Sequence, residues 1–149
     1  MGKRKCPDES IPGPLPDGAK GAIEGGEIIA RFFVPGRPVP WKTHRGSGRR
    51  SYRDPKVAVW QQVIGLFARV AMEGREPYDG PISFSACFDL RSGRRRLPDR
   101  TNLLKAAEDA CQGIVFVNDR QVVGGIVMRR EVVHAEGVWI EVVEKGGVR

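Results

Sequence analysis

Histidine is scarce in this chain of 149 residues. His44 and His134 are the only two and lie far apart, which argues against a histidine-built zinc site or a histidine-activated nucleophile. Cysteine is nearly as rare. Cys6, Cys87 and Cys111 leave at least one thiol unpaired, and no two have the Cys-x-x-Cys spacing of a metal or redox site. Cys87 falls in a strand pattern and Cys111 in a helical one, so both read as small core residues of a protein kept in a reducing compartment. No apolar run approaches the roughly 18 residues of a membrane span, and the amino terminus lacks a signal-like apolar stretch. The expectation is a cytoplasmic protein without membrane contact. Glycine is plentiful, but Gly36, Gly46 and Gly48 form no phosphate-binding nucleotide motif, and there is no internal repeat.

What the chain has in excess is positive charge. Lysine and arginine number 25 against 18 acids, a net charge of +7 that favours an anionic partner. Its distribution says more than its sum. Lys42, Arg45, Arg49, Arg50 and Arg53 form one cluster with no acid among them, and Arg91, Arg94, Arg95, Arg96 and Arg100 form a second. A bare basic run is as readily a solvated face as a nucleic-acid contact. Two runs, the second abutting a group of carboxylates, point to DNA.

With 149 residues, 40% of them hydrophobic, the chain can build one core. Residues 1–26 show no sustained apolar pattern, and residues 12–26 hold eight Gly or Pro, which predicts a flexible tail before a single domain over residues 27–149. Residues 28–34 suit a strand, ended by Pro35, Pro38 and Pro40, and residues 41–52 suit a loop or irregular hairpin. Asp54 and Pro55 supply a cap and first turn for a helix whose stripe reads Val57, Trp60, Ile64, Phe67 and Val70, with Val63 and Leu66 beside it and Gly74 as the stop. Residues 82–90 alternate like a half-buried strand. A second helix spans about residues 101–112, closed by Gly113, and residues 122–130 and 138–143 read as two last strands. The order β-α-β-α-β-β predicts an α+β fold, a mostly antiparallel sheet packed against two main helices.

The chemistry gathers on the second helix. Leu97-Pro98-Asp99-Arg100-Thr101-Asn102-Leu103-Leu104-Lys105 leads into Ala106-Ala107-Glu108-Asp109-Ala110, and Asn118-Asp119-Arg120-Gln121-Val122 follows a few residues later. On a helical wheel Leu103, Leu104, Ala107, Ala110 and Cys111 share the core arc, opposite Thr101, Lys105, Glu108, Asp109 and Gln112. Asp99 stands just before the helix, where a carboxylate serves either as cap or as metal ligand. Acids at a loop-to-helix junction, a lysine beyond and arginines beside them suit a magnesium ion and phosphodiester chemistry. For Lys105 the plainer reading is an i,i+4 pair with Asp109, worth roughly 0.3 kcal/mol.

This arrangement resembles the RusA family of Holliday junction resolvases, whose pattern reads Pro-Asp-x-Asp-Asn-Leu-x-Lys, then a helix ending in Asp-Ala, then Asp-Asp-x-Gln-Val. The resemblance reaches back to Phe32-Phe33-Val34-Pro35-Gly36-Arg37-Pro38-Val39-Pro40 and covers roughly residues 28–143. It implies a magnesium-dependent endodeoxyribonuclease, with manganese as a possible substitute, that cuts branched DNA as a homodimer. Asp99 and Asp119 match its catalytic acids and metal ligands, and Lys105 matches an important lysine. Lys42, Arg45, Arg49, Arg50, Arg53, Arg94, Arg95, Arg96, Arg100, Arg129 and Arg130 are the expected DNA contacts, and Gln121 matches a position of structural character.

Two positions depart from that pattern. Thr101 stands where the second acid is expected, and Asn118 where the first acid of Asp-Asp-x-Gln is expected; both remain weak candidate ligands through a neutral oxygen. Glu108 and Asp109 are the acids that could serve a displaced ion. Seven residues of helix separate Glu108 from Thr101, a rise of roughly 10 Å, so Glu108 does not occupy the missing position itself. The alternative reading is therefore a junction-binding protein of the same fold with weakened or lost cleavage. Trp41 could stack on an unpaired base, though packing is the commoner role for an aromatic beside Pro40.

Overall fold

The computed structural model describes residues 26–45, 51–91, 93 and 96–145. Apart from Gly26, the expected tail lies outside these residues, as do Cys6, Arg49, Arg50, Arg94 and Arg95 and the side chain of Arg45.

Strand β1 (Ile28–Pro35) is followed by a hairpin of β2 (Thr43–Arg45) and β3 (Ser51–Arg53), then helix α1 (Pro55–Met72), strand β4 (Ile82–Arg91) and helix α2 (Arg100–Cys111). A 3-10 turn (Asp119–Gln121) leads into β5 (Val122–Gly124), β6 (Val127–Val132) and β7 (Gly137–Glu144). The fold is α+β, as expected, but the sheet is mixed. β7 lies between β1 and β4 and is antiparallel to both, whereas β5 and β6 run parallel to β4 along its other edge. The expected single strand over residues 122–130 is broken by Gly125. Its φ is +135°, and a Cβ there would stand 1.8 Å from the Phe84 carbonyl oxygen, so only glycine lets the chain pass.

β4 is the central strand and is buried along Ile82 to Leu90 rather than half-buried. Ile82, Phe84, Phe88 and Leu90 join the main core with both helices. On the other face Cys87 lies under Ile126, Met128 and Trp139, and Asp89 is closed off by Arg130. Small alternate residues beneath long neighbours bury a strand that its own alternation would leave half open.

α1 begins as its sequence predicts, with the Asp54 side chain accepting a hydrogen bond from the Lys56 N–H at 2.8 Å and Pro55 at the first position. It ends on Glu73 in the left-handed conformation (φ 51°), one residue before Gly74. Its buried residues are Val57, Trp60, Gln61, Ile64, Gly65, Ala68 and Met72. Phe67 and Val70, expected in the core, lie outside it: Val70 is 76% exposed. Because α1 is apolar nearly all round, periodicity alone cannot choose its inner side. α2 packs between α1 and the β4–β6 side of the sheet through Leu103, Ala106, Ala107 and Cys111.

Candidate active site along the outer face of α2

Asp99 is the cap of α2. Its Oδ1 accepts from the N–H groups of Thr101 (2.7 Å) and Asn102 (3.3 Å), and these bonds leave Oδ2 unused among the described residues. The approach to the helix is fixed by Arg129, whose Nη1 donates to the Pro98 carbonyl at 2.6 Å. Around Asp99 lie two adjoining polar clefts of about 650 and 410 Å³, the first lined by Arg96, Leu97, Asp99 and Arg129, the second by Asp99, Arg100, Thr101 and Arg129. A carboxylate at a helix amino terminus among three arginines is a place where phosphate oxygens find donors on every side.

One and a half turns further on, Lys105 rests its Nζ 4.6 Å from the centre of the Trp41 ring. Trp41 is tied to the same helix, its N–H donating to the Asn102 carbonyl at 2.9 Å. It packs against the core, so packing rather than base stacking is its observed role.

Beyond Lys105 come the acids. Burial holds the Glu108 carboxyl above its usual range, and the charges of Asp109 and Asp119 push it further up. Asp109 is raised for the same first reason; Lys105 opposes the rise, Asp119 adds to it and Arg53 opposes it. Glu108, Asp109, Asp119, Lys105 and Arg53 thus form one electrostatic neighbourhood. From Asp99 to Asp109 the helix rises roughly 15 Å, so the polar face has an arginine end and a carboxylate end with Lys105 between them.

Among the described residues no three His, Cys, Asp or Glu side chains converge closely enough to enclose a metal ion. The donor set suits an open site instead, in which one or two carboxylates share a hard cation with water and substrate phosphate. Asn118 is not free for that role. Its Oδ1 accepts from the Arg120 N–H at 3.0 Å, while its own N–H donates to Gln121 Oε1 at 2.7 Å. Gln121 also donates to the carbonyls of Tyr78 (2.6 Å) and Gly80 (2.9 Å), which anchors the turn carrying Asp119.

The expected DNA contacts divide. Lys42, Arg53, Arg96, Arg100 and Arg129 are exposed. Arg130 is not a free cation: its Nε and Nη2 each bond the buried Asp89 at 2.8 Å, a bidentate pair that neutralises both charges. Its assignment as a phosphate contact is corrected accordingly.

Two features have no clear signal in the sequence. Asp89 occupies what reads as an outward position of an alternating strand, 41 residues from its partner. Gln61 is buried on the inner side of α1, donating to the Ala106 carbonyl of α2 at 3.1 Å and accepting from Arg53 Nη1 at 2.6 Å. It links the two helices and holds Arg53 near the carboxylates; the sole hint is its i,i+4 spacing from Val57. The cysteines behave as expected. Cys87 and Cys111 are buried and free, burial pushing Cys87 up to about 11 and Cys111 upward as well, so neither is a nucleophile.

The domain is α+β, with a polar cleft among arginines, a lysine and a group of carboxylates along one helix face, donors of the kind that chemistry on a phosphodiester uses. The chain matches the family described as Endodeoxyribonuclease RusA over residues 35–143, about three quarters of its length, and belongs to that family. It is accordingly an endodeoxyribonuclease of the Holliday junction resolvase type, acting on branched DNA. Among curated proteins nothing matches. No helix among the described residues is long and apolar enough to cross a membrane.

Proposed function

We propose that this endodeoxyribonuclease hydrolyses its phosphodiester with a divalent cation, magnesium or manganese, on the outer face of α2. The observation that carries the reading is the carboxylate group next to Lys105, partly buried at Glu108 and exposed at Asp109, where burial and neighbouring negative charge hold both carboxyls above their ordinary range. A hard cation relieves that repulsion. Asp99 and Asp119 are the proposed ligands, while Glu108 and Asp109, a roughly 15 Å rise along α2 from Asp99, would instead serve an ion displaced toward the carboxylate end. When bound, it polarises the phosphoryl group and acidifies an attacking water.

The chain's own residues do the rest. The Lys105 ammonium, steadied by Trp41, stabilises charge developing on the scissile phosphate. Arg96, Arg100 and Arg129 hold the strand in the Asp99 cleft, and Lys42 and Arg53 contact the duplex arms. We propose too that the enzyme acts as a homodimer in the cytoplasm. A four-way junction needs symmetric cuts in two strands, and two sites related by a two-fold axis supply them.

A second reading, binding without cleavage, is favoured by Thr101, which supplies a neutral oxygen where the family pattern has an acid, and by the engagement of Asn118 in its own turn. A labelled four-way junction incubated with magnesium, manganese or a chelator separates the two. The first reading predicts paired nicks with either metal and none with the chelator. Tight junction binding without nicks in either metal would establish the second, and nicks in the chelator would refute the cation.

A further inference from the structure

A cleft of about 430 Å³ opens between α1 and α2 at the carboxylate end of the polar face. Asp109 belongs to both, so the cleft begins where the candidate active site stops. Small residues make the room. Ala58, Gln62, Gly65 and Arg69 fall within about 60° of one another on α1, and Ala110 and Ile114 line the α2 side. A Cβ on the buried Gly65 would already meet Ile114 Cδ1 at 3.4 Å, so the floor is closely packed. The helices run side by side in one direction: Gln61 reaches the Ala106 carbonyl, and Gly65, four residues on, lies beside the Ala110 carbonyl.

Polar groups stand around this apolar floor, and their order is informative. Arg53 is at the amino-terminal end of α1, where its Nη1 donates to the buried Gln61 at 2.6 Å, a bond that fixes the guanidinium in place. Burial raises the Asp109 carboxyl and the Arg53 charge opposes that rise, so the two groups are neighbours. Arg69 closes the far end, beyond the exposed Gln62. A flat ligand fits that order if it carries two donors in a row, two acceptors on the adjoining edge and an anion at its far side. Among the bases only guanine does so: N1–H and the N2 amine donate, and O6 and N7 accept.

We propose that the cleft takes a guanine nucleotide of the branched DNA, with Asp109 accepting from N1–H and the N2 amine, Arg53 donating to O6 and N7, and Arg69 on the phosphate. The inference rests on the reading that the outer face of α2 cuts the DNA, and it adds a base that places the strand there. Adenine in the same position would set its N1 lone pair against the Asp109 carboxylate and its amine against Arg53. In a duplex the donor edge of guanine is spent on pairing with cytosine, whereas a branch point offers an unpaired base at little cost. The carboxylate has lone pairs to spare, so Asp109 can hold the base and still face a cation.

Titration of the full chain with dGMP, dAMP, dCMP and dTMP in a chelator, followed by NMR, tests the cleft apart from any cutting. The chain is expected to bind dGMP about tenfold more tightly than the other three. Asp109→Asn should remove that preference, whereas Arg69→Ala should weaken all four alike. A four-way junction then tests the source, each guanine near the branch being replaced in turn by hypoxanthine, which lacks the N2 amine. One replacement beside the cut should slow single-turnover cleavage about tenfold in the wild type and have no further effect on Asp109→Asn. Equal binding of the four nucleotides would overturn the proposal, and a junction still cut would leave the cutting reading standing. Selectivity for dGMP with no sensitive position in a junction that is cut would overturn DNA as the source and assign the cleft to a free guanine nucleotide. A protein that prefers dGMP but cuts no junction would overturn the cutting reading alone.

Discussion

α1 and α2 lie side by side over one core, and their inner sides are built alike. Val57, Ile64, Ala68 and Met72 of the first and Leu103, Ala106, Ala107 and Cys111 of the second are closed off from water. Their outer sides have little in common. α2 turns Thr101, Lys105, Asp109 and Gln112 to solvent, with Asp99 at its head, whereas α1 turns Val59, Leu66, Phe67 and Val70 outward. A helix with one apolar side is satisfied by the sheet beneath it, and its polar side is available for phosphate and metal chemistry. A helix apolar on both sides needs a second cover. The inner faces explain the fold; the outer faces differ in chemistry, polar and charged on α2 and largely apolar on α1.

The largest effect should come from the middle of the polar face. Lys105→Met keeps a chain that can lie on Trp41 but removes the ammonium, and it should lower junction cleavage about 10²–10³-fold with little change in melting temperature. An unaltered single-turnover rate would reduce Lys105 to a solvated side chain. Next is the one polar residue on the inner side of α1. Gln61→Leu leaves Arg53 without its buried acceptor and the Ala106 carbonyl without its inter-helix donor, at a cost of about 1–2 kcal/mol measurable by urea unfolding. No loss there would mean that the two helices meet through apolar packing alone.

A gain of function sharpens the comparison. Thr101→Asp restores the acid of the family pattern at the head of α2, where negative charge is also favoured, and should raise cleavage about tenfold at limiting magnesium. A slower variant would place the missing donor elsewhere. The smallest effect concerns pH. Because the folded state holds the Glu108 carboxyl above its ordinary value, the stability associated with its neutral form is present in acid and lost as pH rises through the folded value. Glu108→Gln should therefore melt higher than wild type at neutral pH in the absence of metal, with the difference closing in acid. A variant less stable at neutral pH would contradict that sign.

Local chemistry made part of this legible in advance. Asp54-Pro55 and Pro98-Asp99 announce helix starts because capping is decided within a few residues, and the buried Cys87 and Cys111 follow from their positions in alternating and helical patterns. What escaped the sequence depends on neighbours far along the chain. Alternation identifies residues 122–130 as strand, but only the partner strand decides that β5 and β6 run parallel to β4. Arg130 reads as a phosphate contact until Asp89 is found beneath it. Phe67 and Val70 read as core because α1 carries apolar residues on both sides, so its periodicity does not tell inside from outside. The site divides in the same way: its residues stand in one motif, while the meeting of Glu108, Asp109 and Asp119 depends on a turn anchored through Gln121 to Tyr78 and Gly80.

The most direct test of the central claim, that the outer face of α2 with Asp119 is the cutting site, compares wild type and Asp119→Asn on one labelled four-way junction, measuring binding and single-turnover cleavage in manganese. Asp119 is exposed and supports no described side-chain bond, so the account predicts unchanged junction affinity with cleavage reduced at least 10³-fold. Equal cleavage by the two proteins would contradict it and move the chemistry off this face.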